Sequence, residues 1–266
     1  MVKLIFLGTG GDALVVGKQE RASGGIVIQG NSSQMHIDPG PGALVRAREY
    51  GVNVRETSAI IVTTPDVIHT NDMGAVVLGM THGGLDKKGS LLVCDKCAFD
   101  AKSHTHALEK IIILTPGHKE YVKDDEILPL ATKSLLEGIG IRLAMTPFTI
   151  SYPGDTDYEE HLAEKYKGTN VLILHCKNHI QATDCERFIQ HIQPKLAILT
   201  NFGSKMLEAN PSNLADQIHK KTRVKTLAAT DGMMLDLQEL FFTKNQTPLS
   251  AFLKSKKQEK TDETPS

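Results

Sequence analysis

The chain has 266 residues, 30 basic against 31 acidic side chains, 40% apolar and 5% aromatic residues and no tryptophan. That length fits one large α/β domain or two small ones and is ample for a core. A net charge of -1 with both signs interspersed leaves no broad positive face, so tight binding to a nucleic-acid backbone is disfavoured. The longest apolar stretches, such as 4–7 and 111–114, fall far below the roughly 20 residues a bilayer requires. The N-terminus lacks a signal-peptide layout, and four cysteines are too few for a disulfide scaffold, so a soluble cytoplasmic protein with no membrane partner is expected.

Short apolar runs alternate with amphipathic stretches, the pattern of strands separated by helices. A strand over 3–7 runs into Gly8-Thr9-Gly10-Gly11, a turn that lets backbone pass close to another group or simply bends tightly. Strands over 25–29 and 34–37 lead through Asp38-Pro39-Gly40 to a helix over 41–50, then a strand over 59–62 and a helix over 71–80. Strands at 91–94, 110–114, 142–146 and 148–152 follow, then helix 158–166, strand 171–175, helix 183–193 with a capping box from Thr183 to Glu186, strand 196–199, helix 212–222, and strands 226–228 and 234–237. Ile37-Asp38-Pro39-Gly40 leading through a helix to Ala59, and Tyr152-Pro153-Gly154-Asp155 leading through a helix to Val171, share one layout. Two similar halves meeting near residue 146 are therefore expected, within a domain over 1–245. The tail over 254–266 is almost devoid of apolar residues and is expected to be disordered.

Polar residues just beyond apolar strands are the usual site in open α/β sheets. Leu-Gly-Thr-Gly-Gly at 7–11, Ile-Asp-Pro-Gly-Pro-Gly at 37–42, the polar loop after strand 59–62, Gly154-Asp155-Thr156, His179, the stretch through Leu199-Thr200-Asn201-Phe202-Gly203, and Ala229-Thr230-Asp231-Gly232-Met233 together resemble the metallo-β-lactamase superfamily, in its ribonuclease Z-like archaeal branch. The resemblance spans the chain to about residue 240. It implies an α/β fold (α+β by some schemes), a four-layer αββα sandwich of two similar halves with a two-metal site along one edge.

The family's metal loop reads His-x-His-x-Asp-His, because imidazole nitrogens and carboxylate oxygens hold two zinc-type ions that share a hydroxide. Here those positions are Thr64, Asp66, Ile68 and His69, so only the last matches. A later family histidine, expected near Met145-Thr146-Pro147, has no counterpart; the bridging aspartate falls on Asp155 and the last histidine is replaced by Asn201. A zinc site needs about three or four strong ligands. The remnant metal positions are Asp66, His69, Asp155 and His179, and the implied cofactor is none or one weakly bound divalent metal (Zn, Mn or Fe). Residue by residue, simpler roles stand beside these: His69 capping a helix or donating to a carbonyl, Asp155 an N-cap, Asp38 bracing a turn, His179 facing solvent, Asp231 in a turn. Cys94-x-x-Cys97 followed by His104 and His106 offers ligands for a structural zinc, and Cys176, His179 and Cys185 offer a weaker set.

Two functions follow. One is a protein of hydrolase lineage whose dinuclear site is largely lost, acting as a non-catalytic binding or regulatory module for a small-molecule or protein ligand in the cleft. The other is a metal-dependent hydrolase, of phosphodiesterase or ester type, using a reduced single-metal site.

Overall fold

The computed structural model describes residues 1–242. The tail expected over 254–266 lies outside them, as does the end of the 1–245 domain. In the first half, β1 (Lys3–Phe6), β2 (Ile26–Gln29), β3 (Gln34–Ile37), β4 (Ala59–Val62), β5 (Ser90–Val93) and β6 (Lys110–Ile113) follow in order. The chain then builds β7 (Glu120–Val122), β8 (Asp125–Ala131), β9 (Ile139–Met145), β10 (Phe148–Tyr152), β11 (Val171–His175), β12 (Leu196–Thr200) and β13 (Lys225–Ala228) before returning through β14 (Met234–Asp236). Two seven-stranded sheets result, in the orders β14-β1-β2-β3-β4-β5-β6 and β13-β12-β11-β10-β9-β8-β7. The chain changes sheet between β6 and β7, ahead of residue 146, because β7 and β8 carry an alternating polar pattern the sequence reading did not take as strand.

Strand alternation separates the layers. In β11, Val171 and Ile173 join the cluster shared with the other sheet, while Leu172 and Leu174 join the cluster under the helices. In β12, Leu196 and Ile198 face inward and Ala197 and Leu199 outward. Helices Met73–Thr81 and Ala98–Lys102 pack on the first sheet, and His179–Ile192 and Pro211–Thr222 on the second. The expected four-layer αββα sandwich is thereby realised. The capping box at Thr183 is not the start of its helix: Asn178 caps it, accepting from the Ile180 and Gln181 N–H groups, so the helix begins four residues earlier. Among the described residues no helix is long and apolar enough to cross a membrane.

The sheets are sewn together at one edge. The Phe202 N–H donates to the Thr9 carbonyl at 2.7 Å and the Gly11 N–H to the Phe202 carbonyl at 2.9 Å. A Cβ at Gly11 would stand 2.1 Å from the Asn201 carbonyl oxygen, so the glycine turn serves close approach rather than a mere bend. Asp231 closes the same corner, accepting from the Thr9 N–H at 2.9 Å, the Thr9 hydroxyl at 2.7 Å and the Ala22 N–H at 2.7 Å. Gly11→Ala is therefore expected to destabilise the fold by roughly 3 kcal/mol in urea unfolding. Gly17→Ala, in a short helix with nothing within 4 Å of the added methyl, leaves stability unchanged or raises it by up to about 1 kcal/mol. Equal effects of the two substitutions would contradict this account of the edge.

Candidate functional site

Strands β3, β4, β10, β11 and β12 all end at the sewn edge, and the polar residues at or just past their ends meet there. Asp38 follows β3 with φ of 51° and Asn201 follows β12 with φ of 54°. Both hold the left-handed conformation that Asp and Asn tolerate better than most residues. The Asp38 carboxylate, 2% exposed, accepts from the Thr63 N–H and the Thr63 hydroxyl at 2.7 Å each. It also accepts from the Tyr152 hydroxyl at 2.8 Å, and His69 Nδ1 lies 3.4 Å away. The His69 and His175 rings stack with centroids 5.3 Å apart. Asn201 Nδ2 sits 3.3 Å from His69 Nε2 and 3.1 Å from His175 Nε2, and the Tyr152 hydroxyl also meets His175 Nε2.

Burial by itself would raise the Asp38 pKa, but the hydrogen bond and electrostatic pull of His69 and the donors of Thr63 outweigh it and hold the carboxyl below the usual range. Burial, reinforced by His69, drives His175 down to about 3, so the ring is neutral. Burial and the neighbouring Asp38 charge push the Tyr152 phenol well up. Asp155 accepts from the Lys177 ammonium at 2.8 Å and from the Gln181 amide at 2.9 Å. Its burial opposes ionisation, yet His175, Lys177 and His69 together hold it below the ordinary carboxylate range.

Of the four remnant metal positions, the structure brings His69 and Asp155 to this network. Asp66 instead caps the turn Val67–Thr70, accepting from the Ile68 N–H at 3.1 Å, and His179 is exposed at the start of its helix. Ile68 is buried, and the Thr64 hydroxyl is buried without a partner. Gly40 makes room for this turn, since a Cβ there would fall 1.7 Å from the Ile68 carbonyl oxygen. Thr146 and Pro147 form the two-residue turn between β9 and β10, at the end of β10 opposite Tyr152. The expected place of the missing histidine thus lies on the wrong edge. The loop of that half reaching the site is 132–138, where the Ile139 N–H donates to the Thr63 carbonyl at 2.7 Å, and it holds no histidine.

The motif positions mark Asp38 only as a turn residue and do not mark Tyr152, His175 or Lys177. Their signal was available: each sits at or just beyond the C-terminal end of a buried parallel strand. Cys94 and Cys97 lie together, but His104 packs against Gly74 and His106 against Gly84, apart from the sulfurs. Among the described residues no group of three or more His, Cys, Asp or Glu side chains converges as metal ligands would. The donors present do not fit a two-metal centre, because Asp38 is saturated by protein donors, both Asp155 oxygens are taken, and Asn201 stands between the two imidazoles. Free space beside His175 amounts to about 10 Å³, enough for about one water. A groove of about 860 Å³ opens on the opposite edge, where Lys3, Lys88 and Lys110 line the strand starts, away from this network.

The buried rings set an acid sensitivity. Burial lowers His36, whose Nε2 lies 2.7 Å from the Gly24 carbonyl, to about 4 against an ordinary 6.5, and His175 to about 3. Below pH 6.5 the unfolded chain binds protons that the folded chain refuses, so this stability is complete above 6.5 and is lost as pH falls. The carboxylates Asp38 and Asp155, shifted down, contribute above the ordinary carboxylate range and lose their share only below it. Urea unfolding at pH 5.0 should show about 2 kcal/mol less stability per histidine than at pH 7.5, and His36→Gln should remove about half of the difference. A stability flat over that range would mean that the rings are charged in the fold.

No protein-family model matches the chain. The uncharacterized protein MJ1374 of Methanocaldococcus jannaschii is 31% identical over 255 residues, covering 89% of this chain and 95% of that protein. Among solved structures, the metallo-beta-lactamase fold protein YhfI from Bacillus subtilis matches with a TM-score of 0.76 at 16% identity, over 88% of this chain and 98% of that one. Igni18, a metallo hydrolase from Ignicoccus hospitalis, matches at 0.66 and 14% over the same shares, and human tRNase Z, short form, at 0.63 and 12%, again over 88% and 98%. The protein therefore has the metallo-β-lactamase fold, and it belongs to the family of MJ1374.

Proposed function

We propose that the protein descends from metal-dependent hydrolases of the ribonuclease Z-like archaeal branch, has lost the dinuclear centre, and acts in the cytoplasm as a non-catalytic binding or regulatory module for a small-molecule or protein ligand. The observation that carries this reading is the Lys177 ammonium, 2.8 Å from Asp155, at the carboxylate that the resemblance assigns to bridging the metals. A lysine there supplies a fixed positive charge without an open coordination position, so it can neutralise Asp155 but cannot activate a hydroxide. The pairing of Asn201 with both imidazoles supports the same reading, because nitrogens engaged in the protein's own contacts are poor candidates for ligation. Of the remnant positions Asp66, His69, Asp155 and His179, only His69 and Asp155 lie in this network, so at most one divalent ion is held there, and weakly.

Freshly purified protein should contain little zinc, manganese or iron. It should not hydrolyse bis(p-nitrophenyl) phosphate or simple thioesters with any of these ions added, and chelator should leave its melting temperature within about one degree. Near-stoichiometric metal, with turnover abolished by His69→Ala and by Asp155→Ala, would overturn the proposal in favour of a single-metal hydrolase.

A further inference from the structure

The Cys94 and Cys97 sulfurs lie 3.6 Å apart, and both residues are free thiols. The Cys97 N–H donates to the Cys94 carbonyl at 3.0 Å, which closes a tight turn directly after β5. That turn belongs to the site edge: the Cys94 N–H donates to the Val62 carbonyl at 2.9 Å, and Lys96 pairs with Glu137 of the loop that reaches Thr63. A disulfide needs sulfurs about 2.05 Å apart, so bond formation asks for a movement of about 1.5 Å, within reach of side-chain rotation in a turn of this kind.

We propose that Cys94 and Cys97 are a redox-active dithiol that a small hydroperoxide closes to an intramolecular disulfide and a low-molecular-weight thiol reopens. With the two residues only 1% and 3% exposed, oxidant and reducing thiol alike reach them through local opening of the turn after β5. Their protons are held unequally. The hydrogen bond with Cys97 lowers Cys94 below the ordinary thiol range, while the same contact and burial push Cys97 up. Cys94 is the nucleophile and Cys97 the resolving thiol. The Cys94 thiolate attacks one peroxide oxygen, the O–O bond breaks, and hydroxide leaves and takes a proton to become water. The resulting sulfenic acid is attacked by the Cys97 sulfur, which gives up its proton as the S–O bond breaks and a second water leaves. Two thiols are oxidised by two electrons and one hydroperoxide is reduced. Reopening consumes two molecules of the external thiol and yields its disulfide.

Cys185 provides an internal comparison. Cys185 donates to the His175 carbonyl at 3.1 Å, and its contact with Cys176 and burial push its thiol well up, so it lacks thiolate character. Reduced native protein would be exposed to a few equivalents of hydrogen peroxide, alkylated and mapped by mass spectrometry. Expected are a mass loss of about 2 Da, a Cys94 to Cys97 link reversed by dithiothreitol, and roughly tenfold slower reaction at Cys185. Cys97→Ala should leave a sulfenic acid on Cys94 that dimedone traps, formed more slowly for want of the Cys97 hydrogen bond, and either Cys97→Ala or Cys94→Ala should abolish the link and the loss of about 2 Da. Four thiols reacting alike, or a link formed only after denaturant is added, would overturn the proposal. Should either variant fail to fold, the wild-type map decides alone.

Discussion

A buried carboxylate needs positive charge or donors on every side, and the site edge is organised around that requirement at Asp38. Taking a carboxylate out of water costs several kcal/mol unless its lone pairs are satisfied. Its partners come from different strand ends: Thr63 past β4, His69 a turn further on, and Tyr152 at the end of β10. The Tyr152 bond crosses from one sheet to the other. The charge that must be satisfied therefore also fixes how the two halves of the sandwich meet, and it passes this constraint to His175 through Tyr152 and to Asn201 through the two imidazoles.

Lys177 solves the corresponding problem in the second half. Asp155 is half-buried, and under the proposed loss of the dinuclear centre no divalent cation balances its charge. A carboxylate in that situation must either take up a proton or recruit another cation. Lys177 recruits it, and Gln181 fills the remaining oxygen, so Asp155 stays ionised with its pKa held down. On the proposed reading, ligand loss and the arrival of an internal cation are two aspects of one electrostatic adjustment, and reversing only the ligand substitutions would leave the lysine competing for the carboxylate.

The fold was readable because parallel strands buried on both faces appear as continuous apolar runs. β4, β10 and β11 coincide with their predicted ranges. β7 and β8 escaped because Glu120, Asp125 and Glu126 interrupt the apolar pattern and Pro129 argues against a strand. Short helices such as Ala13–Gly17 and Ser204–Glu208 span too few residues for a periodicity to emerge. The site was readable only in part. His69, Asp155 and Asn201 stood at positions a known motif marks, whereas Tyr152 and His175 gain their role from partners 114 and 26 residues away in the chain. Local spacing cannot report such contacts; the end of a buried strand can.

The same physics sets what a two-metal edge would require. A two-metal site keeps its ligands pointing at ions and leaves coordination positions open to water and substrate, so its polar groups are satisfied only when the ions are bound. Here nearly every polar atom of the network finds its partner within the protein, the exceptions being the Thr64 hydroxyl, the Thr200 hydroxyl and His175 Nδ1. On the proposed reading, this self-satisfaction is what lets the fold stand without an ion and closes the positions that metal-activated hydrolysis would need. An edge so arranged gains rigidity, and the dithiol proposed at the end of β5 would change state beside it by chemistry of its own.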